Sequence, residues 1–293
     1  MTVINDIIER QVELALMEDI GPGDITSLGC LPDGVGKGEI VAKSDGFLAG
    51  LPLVETVFSK LDPKMRIECL KYDSQPFRRG DKIAIIEGNR RALLTGERTA
   101  LNFLGHLSGI ATLTSKFVEK TRGSGVKILD TRKTTPGLRH LEKYAVTCGG
   151  GENHRYGLYD MALVKDNHIA AAGTITAAVE SLRNFLRSRE FQEQFVTKPD
   201  DIEIEVEVTS EAELKEALRC GIGRLLLDNQ TPDGLKKLVN TARALQPKVI
   251  LEASGNVTLD NIAAIAASGV DFISIGALTH SAPSSDFSME FSR

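Results

Sequence analysis

The chain has 293 residues, a formal net charge of −5 at pH 7 and 42% hydrophobic residues. This length allows one large domain or two ordinary ones, and the acidic balance argues against a general affinity for nucleic acid. Four scattered cysteines without a C-x-x-C pair argue against a zinc site and a disulfide framework. The N-terminus lacks the basic start and apolar run of a signal peptide, and no segment reaches the roughly 20 apolar residues that span a bilayer. We therefore expect a cytoplasmic protein.

The N-terminal part of the chain combines helix and strand patterns. Residues 3–18 carry Ile, Val and Leu at helical spacing and predict an amphipathic helix. Short β-like segments broken by Gly, Pro and Asp turns follow at 38–50, 65–77 and 81–88. One helical stretch, at 53–61, lies between the first two of them. These patterns predict a small α+β domain, and a long helix over roughly 91–121 leads out of it.

After this helix the pattern changes to short apolar runs, each followed by turn residues and a helical pattern. The runs are VKILDTRKT, MALVKDNHI, IEIEVEVTS, GRLLLDNQT, KVILEASGN and FISIGALTH. Alternating strand and helix signals indicate a parallel sheet, and the last three units recur at the roughly 20–25-residue spacing of β/α barrels. About six units instead of eight predict an incomplete α/β barrel. We place the first domain at 1–108 and the barrel domain at 109–279, with a tail over about 280–293 that packs back on the first domain.

Charged residues follow several of these apolar runs. Because the carboxyl ends of parallel barrel strands meet at one mouth, we expect these residues to form a single site. Arginine and lysine in such a site match carboxylates and phosphates. The cations concerned are Arg132, Lys133, Arg139, Arg155 and Lys165. Each one alone is explained equally by a surface ion pair of about 0–1 kcal/mol, but five on one rim indicate an anionic ligand.

One acidic segment suggests a cation site in the same mouth. The segment IEIEVEV places Glu203, Glu205 and Glu207 on one face of a strand. On an edge strand this face would be solvated, whereas inside a barrel the carboxylates need cations or a metal. Glu207 near Asp228 would suit Mg²⁺, which binds carboxylates together with the oxygens of a phosphorylated substrate.

Three glycine-containing loops are candidate ligand sites. GGGENHRYGLYD brings His154 and Arg155 behind glycines that allow close backbone approach to a ligand, although a flexible loop would have the same composition. EASGN and SIGAL each place a small residue and a glycine at the start of a helix. Helix N-termini bind phosphate well, and tight βα turns are the alternative explanation.

Long motifs in this chain resemble one enzyme family. In order they are ALMEDIGPGDIT, GERTALNFLGHLSGIAT, DTRKTTPGLRHLEKYAV, GGGENHRYGLYDMALVKDNHI, LLLDN, EASGN and SIGALTHSAP. They closely resemble quinolinate phosphoribosyltransferases, and the resemblance covers nearly the whole chain. One stretch departs from it: residues 181–201 are longer and more charged than we expect for the family, which predicts an extended peripheral helix and loop.

The resemblance implies a fold and a reaction. The fold is an N-terminal α/β sandwich domain followed by an incomplete α/β barrel. The reaction transfers the phosphoribosyl group of phosphoribosyl pyrophosphate to the ring nitrogen of quinolinate with decarboxylation. Its products are nicotinate mononucleotide, pyrophosphate and CO₂, within de novo NAD biosynthesis.

The resemblance also implies site residues. The catalytic residues would be Lys133, Lys165, Glu207 and Asp228, and the last two would also hold Mg²⁺ as the cofactor. The substrate-binding residues would be Arg98, Thr131, Arg132, Lys133, His154, Arg155, Lys165, Glu207, Asp228, Ser254, Gly255, Asn256, Gly276 and Ala277. Within this set, the loops 254–256 and 276–277 would take the 5′-phosphate. The family further implies a homodimer or higher homo-oligomer in which Arg98 reaches the neighbouring subunit's site, whereas its spacing alone indicates an ordinary helix residue.

Two other functions are consistent with parts of the pattern. A Schiff-base aldolase would use Lys133 or Lys165 as a desolvated amine, although crowding arginines favour an anion clamp instead. A related family encoded with molybdate transport systems shares much of this architecture, and a paralogue of that kind would bind anions without this reaction.

Overall fold

The computed structural model describes the backbone of residues 2–292 and the side chains of residues 6–291. In chain order the helices are α1 (Thr2–Ile20), α2 (Ile25–Cys30), α3 (Leu51–Leu61), α4 (Arg90–Lys120), α5 (Arg139–Cys148), α6 (Asp166–Ala172), α7 (Ile175–Leu186), α8 (Arg189–Gln194), α9 (Glu211–Arg219), α10 (Pro232–Leu245), α11 (Ile262–Ala266) and α12 (Ala277–His280). The strands are β1 (Val35–Ala42), β2 (Gly46–Phe47), β3 (Arg66–Cys69), β4 (Pro76–Phe77), β5 (Lys82–Asn89), β6 (Lys127–Leu129), β7 (Ala162–Val164), β8 (Ile204–Val208), β9 (Arg224–Asp228), β10 (Ile250–Ser254), β11 (Phe272–Ser274) and β12 (Phe287–Ser292). None of the described helices is both long and apolar enough to cross a bilayer.

The chain forms two compact units. The first unit contains the chain up to Lys116, the segment Lys133–Gly151 and the chain from Ala277 onward. The second unit contains Phe117–Arg132 and Glu152–Gly276.

An antiparallel sheet organises the first unit. Its strand order is β12-β1-β5-β3. In β1, Ile40 pairs with Met289 of β12 on one side and with Ala84 of β5 on the other. Ile40 and Ala84 are fully buried, and α3 adds the buried side chains of Val54 and Phe58 to the core of this unit. The C-terminal strand thereby completes a sheet that starts near the N-terminus.

Two glycines of α4 allow the backbone of the C-terminal segment to approach that helix closely. The N–H of Ser285 donates to the carbonyl of Gly105 at 2.9 Å. A Cβ on Gly105 would lie 2.8 Å from the Ser285 carbonyl oxygen, and a Cβ on Gly109 would overlap the carbonyl oxygen of Pro283. Because backbone atoms lie on both sides of these contacts, neither side can move away cheaply.

We expect Gly109→Ala to lower the free energy of unfolding by about 2–3 kcal/mol, as overpacking against backbone does. Urea unfolding of the full chain measures this change. The control is Gly29→Ala in α2, where the new Cβ meets no atom within 4 Å and where helix propensity predicts a gain of up to about 1 kcal/mol. Equal stability of the Gly109→Ala variant and the parent would contradict the expected overlap.

The second unit contains a six-stranded sheet in which every strand pair is parallel. Its order is β6-β11-β10-β9-β8-β7. This order is the chain order written as a ring that is interrupted between β6 and β7. The arrangement confirms the predicted incomplete α/β barrel and all six predicted strands.

The interruption of the ring is where the glycine-rich loop passes. Glu152 forms a parallel bridge with Leu129. The N–H of Glu152 donates to the Ile128 carbonyl at 2.8 Å, and the N–H of Asp130 donates to the Glu152 carbonyl at 3.2 Å. Residues just after the glycines therefore lie against β6.

The charged stretch that departs from the family pattern forms two helices rather than one extended helix. The Ser188 hydroxyl accepts the N–H of Phe191 at 3.1 Å and starts α8 two residues after α7 ends. Phe185 and Phe191 meet edge to face with centroids 5.7 Å apart, and Phe191 stacks on Phe195 at 4.8 Å. These aromatic contacts hold α8 against the end of α7.

Candidate active site

The carboxyl ends of the strands of the second unit lie side by side. Asp228 is level with Ser254 across β9 and β10, Ser254 is level with Ser274, and Ser274 is level with Leu129. Parallel pairing places aligned residues on the same face of a sheet. The sequence-predicted strand ends therefore form one continuous edge, and Thr131 and Arg132 follow directly after it.

His154 is held on both of its ring nitrogens. The backbone N–H of Arg155 donates to His154 Nδ1 at 2.7 Å, so Nδ1 carries the lone pair and the ring proton lies on Nε2. Nε2 lies 3.0 Å from Glu205 Oε2, and the backbone N–H of His154 donates to Asp130 Oδ1 at 2.9 Å. The side chain is almost fully buried. In this arrangement the His154 ring fixes the backbone N–H of Arg155. The predicted contact between His154 and the substrate stays a prediction.

Arg224 joins His154 and two glutamates in a buried charge cluster, by which we mean His154, Glu205, Arg224 and Glu252. Arg224 Nε donates to Glu205 Oε1 at 3.1 Å and Nη2 donates to Glu252 Oε2 at 2.7 Å. Both glutamates are fully buried. The guanidinium also lies 5.0 Å from the ring centroid of Phe272. One arginine thus balances half of the charge of two ionised carboxylates, and both of these are buried away from water.

The two glutamates of the buried charge cluster differ in acidity. Burial opposes the charge of Glu205, but the hydrogen bond from His154 and the charge of Arg224 outweigh it, so the pKa of Glu205 is lowered. Burial and the charge of Glu205 raise the pKa of Glu252 to about 7, against the influence of His154 and Arg224. Glu252 Oε1 is also buried without a hydrogen-bond partner. Of the two glutamates, Glu252 therefore takes up a proton first as the pH falls.

We expect this raised pKa to appear as a pH dependence of stability. Between about pH 4.5 and 7 the folded chain holds a proton on Glu252 that the unfolded chain has lost, so the contribution of this group falls as pH rises, by at most about 3 kcal/mol. Glu252→Gln removes the titration. The free energy of unfolding is measured in urea at pH 5 and pH 8. Relative to the parent, the value for the variant is expected to be higher at pH 8 than at pH 5. An equal difference between variant and parent at both pH values would contradict this assignment.

The spacing of the cluster resembles a metal site, but its hydrogen bonds do not fit one. His154, Glu205 and Glu252 offer ligand atoms within 4.8 Å of one another. A metal would need the Nε2 lone pair of His154, and that nitrogen carries the proton because Nδ1 accepts from Arg155. We therefore interpret the cluster as a hydrogen-bonded charge network. Among the described residues, no group of three such ligands includes Glu207 or Asp228.

Arg132 and Arg155 are two guanidinium groups of the same unit that repel each other. Burial, and then the positive charge of Arg132, lower the pKa of Arg155. Arg155 Nη1 donates to the carbonyl of Met161 at 3.1 Å, whereas Arg132 Nε is buried without any hydrogen-bond partner. Leaving a buried donor unpaired costs about 1–3 kcal/mol. The charges of Asp160 and Glu205 oppose the lowering of the Arg155 pKa without outweighing it, so the pair is suited to binding an anion.

Lys165 and Glu207 form an ion pair at the ends of β7 and β8. Lys165 Nζ lies 2.7 Å from Glu207 Oε2, with the lysine side chain 44% exposed and the glutamate 10% exposed. Lys165 Nζ is therefore engaged by a carboxylate and is not a desolvated free amine, which disfavours the aldolase alternative. On the neighbouring strand β9, Leu226 is level with Glu207, and Asp228 lies two residues after Leu226. The two predicted metal-binding carboxylates therefore share a face of the sheet.

The Ser254–Asn256 loop, which is predicted to bind phosphate, contains two consecutive left-handed residues. Gly255 and Asn256 both have left-handed backbones, with φ of 93° and 52°. At Gly255 a Cβ would overlap Asn229 Oδ1, so only glycine fits there. Gly276 ends the second unit, two residues after the end of β11.

The remaining predicted site residues belong to the first unit. Arg98 lies on α4 and lines a polar cavity together with Asn102, Ser284 and Asp286. The carbonyl of Lys133 accepts the hydroxyl of Thr279 at 2.7 Å. Two further predicted residues of this unit are Arg139, which donates to Thr134 Oγ1 at 3.1 Å, and Ala277, the first residue of α12. Their part in the predicted cation cluster and phosphate loop stays a prediction.

Comparisons with known proteins agree with this architecture. Models described as quinolinate phosphoribosyl transferase, N-terminal and C-terminal domains, match residues 24–108 and 110–290. The probable nicotinate-nucleotide pyrophosphorylase [carboxylating] of Synechocystis sp. is 43% identical over 98% of this chain and 93% of its own length. That of Bacillus subtilis is 42% identical over 94% and 90%. The chain belongs to the quinolinate phosphoribosyltransferase family.

A solved structure of the family has the same fold. The nicotinate-nucleotide pyrophosphorylase of Francisella tularensis superposes with a TM-score of 0.88 at 40% identity, covering 98% of this chain and 97% of that one. Family membership confirms the predicted resemblance, the enzyme class and the decarboxylating transfer of a phosphoribosyl group to quinolinate in NAD biosynthesis. The family also argues against the aldolase, and relatives named as carboxylating enzymes favour a catalyst over an anion-binding paralogue.

Three residues near the site were missed or given no role by the sequence analysis. Arg224 and Glu252 were given no role. A signal was available for Arg224, because it starts a strand and is level with Glu205, and an arginine at that position indicates a charge pair. Asn229 was noted only as part of a strand end. The sequence carried no signal for the unpartnered Nε of Arg132, because burial of a single atom depends on packing.

Proposed function

We propose that Arg132 and Arg155 bind the two carboxylates of quinolinate. The observation that carries this assignment is the half-buried guanidinium pair whose charges repel and whose Arg132 Nε has no partner. Quinolinate is a pyridine with adjacent carboxylates, and guanidinium groups match carboxylates in bidentate geometry. A diacid would supply both the missing negative charge and the missing acceptor.

We further propose that the edge formed by Glu207, Asp228 and the Ser254–Asn256 loop binds phosphoribosyl pyrophosphate. Carboxylates suit ribose hydroxyls, and a left-handed glycine loop presents backbone N–H groups to a phosphate. Gly276 and Ala277 are proposed to join the phosphate contacts from the end of β11.

Glu207 and Asp228 also form a donor set that fits Mg²⁺. Both are carboxylates on one face of adjacent strands, and the Lys165 pair engages only one oxygen of Glu207. Bound there, Mg²⁺ would neutralise charge on the pyrophosphate group.

The chain's residues would perform the transfer mainly by positioning and charge. The arginines hold the pyridine so that its ring nitrogen attacks the anomeric carbon as the bond to pyrophosphate breaks. The transition state resembles an oxocarbenium ion, which Glu207 and Asp228 stabilise, while Lys165 and Lys133 neutralise the phosphates. As the neighbouring carboxylate leaves as CO₂, the electron pair of the broken bond stays on the ring carbon, where the positive charge of the adjacent quaternary nitrogen stabilises it, and a proton then binds to that carbon.

We propose that the chain works in the cytoplasm as a homodimer or higher homo-oligomer, with Arg98 reaching the neighbouring subunit's site. The support is the family pattern GERTALN around Arg98, which lies on α4. Mixing inactive Arg98→Ala and Lys165→Ala subunits tests it. Regained activity is expected, whereas a mixture as inactive as its components contradicts a shared site.

The reaction is tested by incubating the protein with quinolinate, phosphoribosyl pyrophosphate and Mg²⁺, followed by measurement of nicotinate mononucleotide and CO₂ in equal amounts. Nicotinate serves as the competing substrate. Turnover of nicotinate without turnover of quinolinate would contradict the proposed use of the two arginines.

A further inference from the structure

Asn229 connects two parts of the site. It follows the last residue of β9 and has a left-handed backbone with φ of 51°. Its Nδ2 donates to Asp228 Oδ2 at 2.7 Å, and its Oδ1 accepts from Asn256 Nδ2 at 3.1 Å. Its backbone N–H donates to the carbonyl of Ser254 at 2.9 Å. One side chain therefore contacts both the carboxylate at the end of β9 and the loop after β10.

The conformation of Asn229 points to a role for its side chain. Glycine adopts a left-handed backbone without the steric cost that other residues meet. Asparagine tolerates this region better than most residues but still at some cost. The side-chain contacts to Asp228 and Asn256 are what asparagine provides and glycine does not.

We propose that Asn229 is a positioning residue for phosphoribosyl pyrophosphate, fixing the Asp228 carboxylate relative to the Ser254–Asn256 loop. The inference rests on the proposed function, in which Asp228 takes ribose hydroxyls and the loop takes the 5′-phosphate. The hydroxyls and the 5′-phosphate are joined by covalent bonds in the substrate, so their binding groups must be held at a fixed separation. A pre-organised pair of groups avoids the entropy cost of ordering them on binding.

The amide of Asn229 also suits the charges on either side of it. The NH₂ group faces the Asp228 carboxylate and the carbonyl oxygen faces the Asn256 amide, so each end of the side chain meets its complement. An aspartate at this position would keep the acceptor for Asn256 but place a second carboxylate against Asp228. The two contacts can therefore be broken separately.

Two variants test the proposal by steady-state kinetics. Asn229→Gly keeps the left-handed backbone and removes both side-chain contacts, and Asn229→Asp replaces only the donor to Asp228. For both we expect the KM for phosphoribosyl pyrophosphate to rise about tenfold or more, as the loss of one or two hydrogen bonds to charged or site-forming groups predicts. The KM for quinolinate, measured at saturating phosphoribosyl pyrophosphate, is expected to stay within about threefold of the parent.

Gln230→Ala is the matched control. Gln230 is the next residue, and its Nε2 donates to the carbonyls of Thr209 and Asp228, both at 2.9 Å, without contacting the Asp228 carboxylate or Asn256. We expect this variant to keep both KM values within about threefold of the parent. If Gln230→Ala raises the KM for phosphoribosyl pyrophosphate as much as Asn229→Gly does, the effect belongs to the loop in general and the proposal is overturned.

Two more results would overturn the proposal. One is an unchanged KM for phosphoribosyl pyrophosphate in both Asn229 variants, and the other is an equal rise in both KM values, which a merely structural role predicts. Calorimetric binding of phosphoribosyl pyrophosphate to parent and variants gives the same comparison without turnover. A parent that binds this compound but forms no nicotinate mononucleotide would defeat the proposed reaction while leaving Asn229 testable.

Discussion

Arg132→Met and Arg155→Met are each expected to lower kcat/KM for quinolinate about 100-fold or more. Each variant loses charged hydrogen bonds worth about 1.5–3 kcal/mol apiece to a carboxylate of the substrate. Methionine keeps most of the aliphatic volume of arginine, so packing is preserved while the charge is removed. Initial rates with quinolinate varied at saturating phosphoribosyl pyrophosphate measure the effect.

The stability of these variants should not follow their activity. Arg132→Met removes a buried Nε that has no partner and a positive charge that acts on Arg155, so we expect an unchanged free energy of unfolding or an increase of up to about 1 kcal/mol. Arg155→Met also loses the hydrogen bond to the Met161 carbonyl, so we expect a decrease of about 1 kcal/mol. Arg189→Ala, at a 90% exposed side chain of α8, is the control and should change neither property. A variant of either site arginine that binds quinolinate as the parent does would show that its guanidinium is misplaced in our proposal.

Arg224→Met is expected to destabilise the chain by about 3–5 kcal/mol at pH 8, the range found when one partner of a buried ion pair is removed. The cost arises because Glu205 and Glu252 remain fully buried and close together without their cation. Loss of the arginine raises the pKa of both carboxyl groups, so the folded variant binds more protons than the unfolded one. Its stability should therefore recover as pH falls from 8 towards 5.

A double variant separates charge from packing at this site. Adding Glu252→Gln to Arg224→Met removes one uncompensated carboxylate and should restore part of the lost stability at pH 8. Arg243→Met is the control, because Arg243 pairs with Asp271 at 2.7 Å but both side chains are about one-third exposed. The free energy of unfolding of Arg243→Met should fall by about 0–1 kcal/mol, as for other exposed ion pairs. Loss of the contact between Arg243 and the Val249 carbonyl should add about 1 kcal/mol to this decrease. A pH-independent loss in Arg224→Met would contradict the charge argument.

The barrel strands and the long helix could be predicted from the sequence because each carries a local signal. Each apolar run ends in polar turn residues, and α4 runs over Arg90–Lys120 against a prediction of about 91–121. The incomplete ring followed from the number of such units. The two helices between Thr174 and Phe195 were not separated, because Ser188 as an N-cap was hidden among other polar residues.

The chemistry of the site was less predictable than its position. The sequence placed Arg132, Arg155 and Lys165 at strand ends, and the structure places all three in the unit that contains those ends. The proton position on His154 depends on a backbone N–H donor from Arg155, which only the folded loop supplies. The same holds for Asn229, whose partner Asn256 is distant in sequence and is brought near by the parallel pairing of β9 and β10.

The ring of strands that stops between β6 and β7 leaves backbone groups that another chain could pair with. Uncovered sheet margins of this kind are a known route to aggregation. Here the two outermost strands have only three residues each, as does the inner strand β11, compared with five in β8, β9 and β10. Glu152 also covers β6 through its bridge to Leu129. The short outermost strands and this bridge thus leave few backbone groups exposed for pairing with another chain.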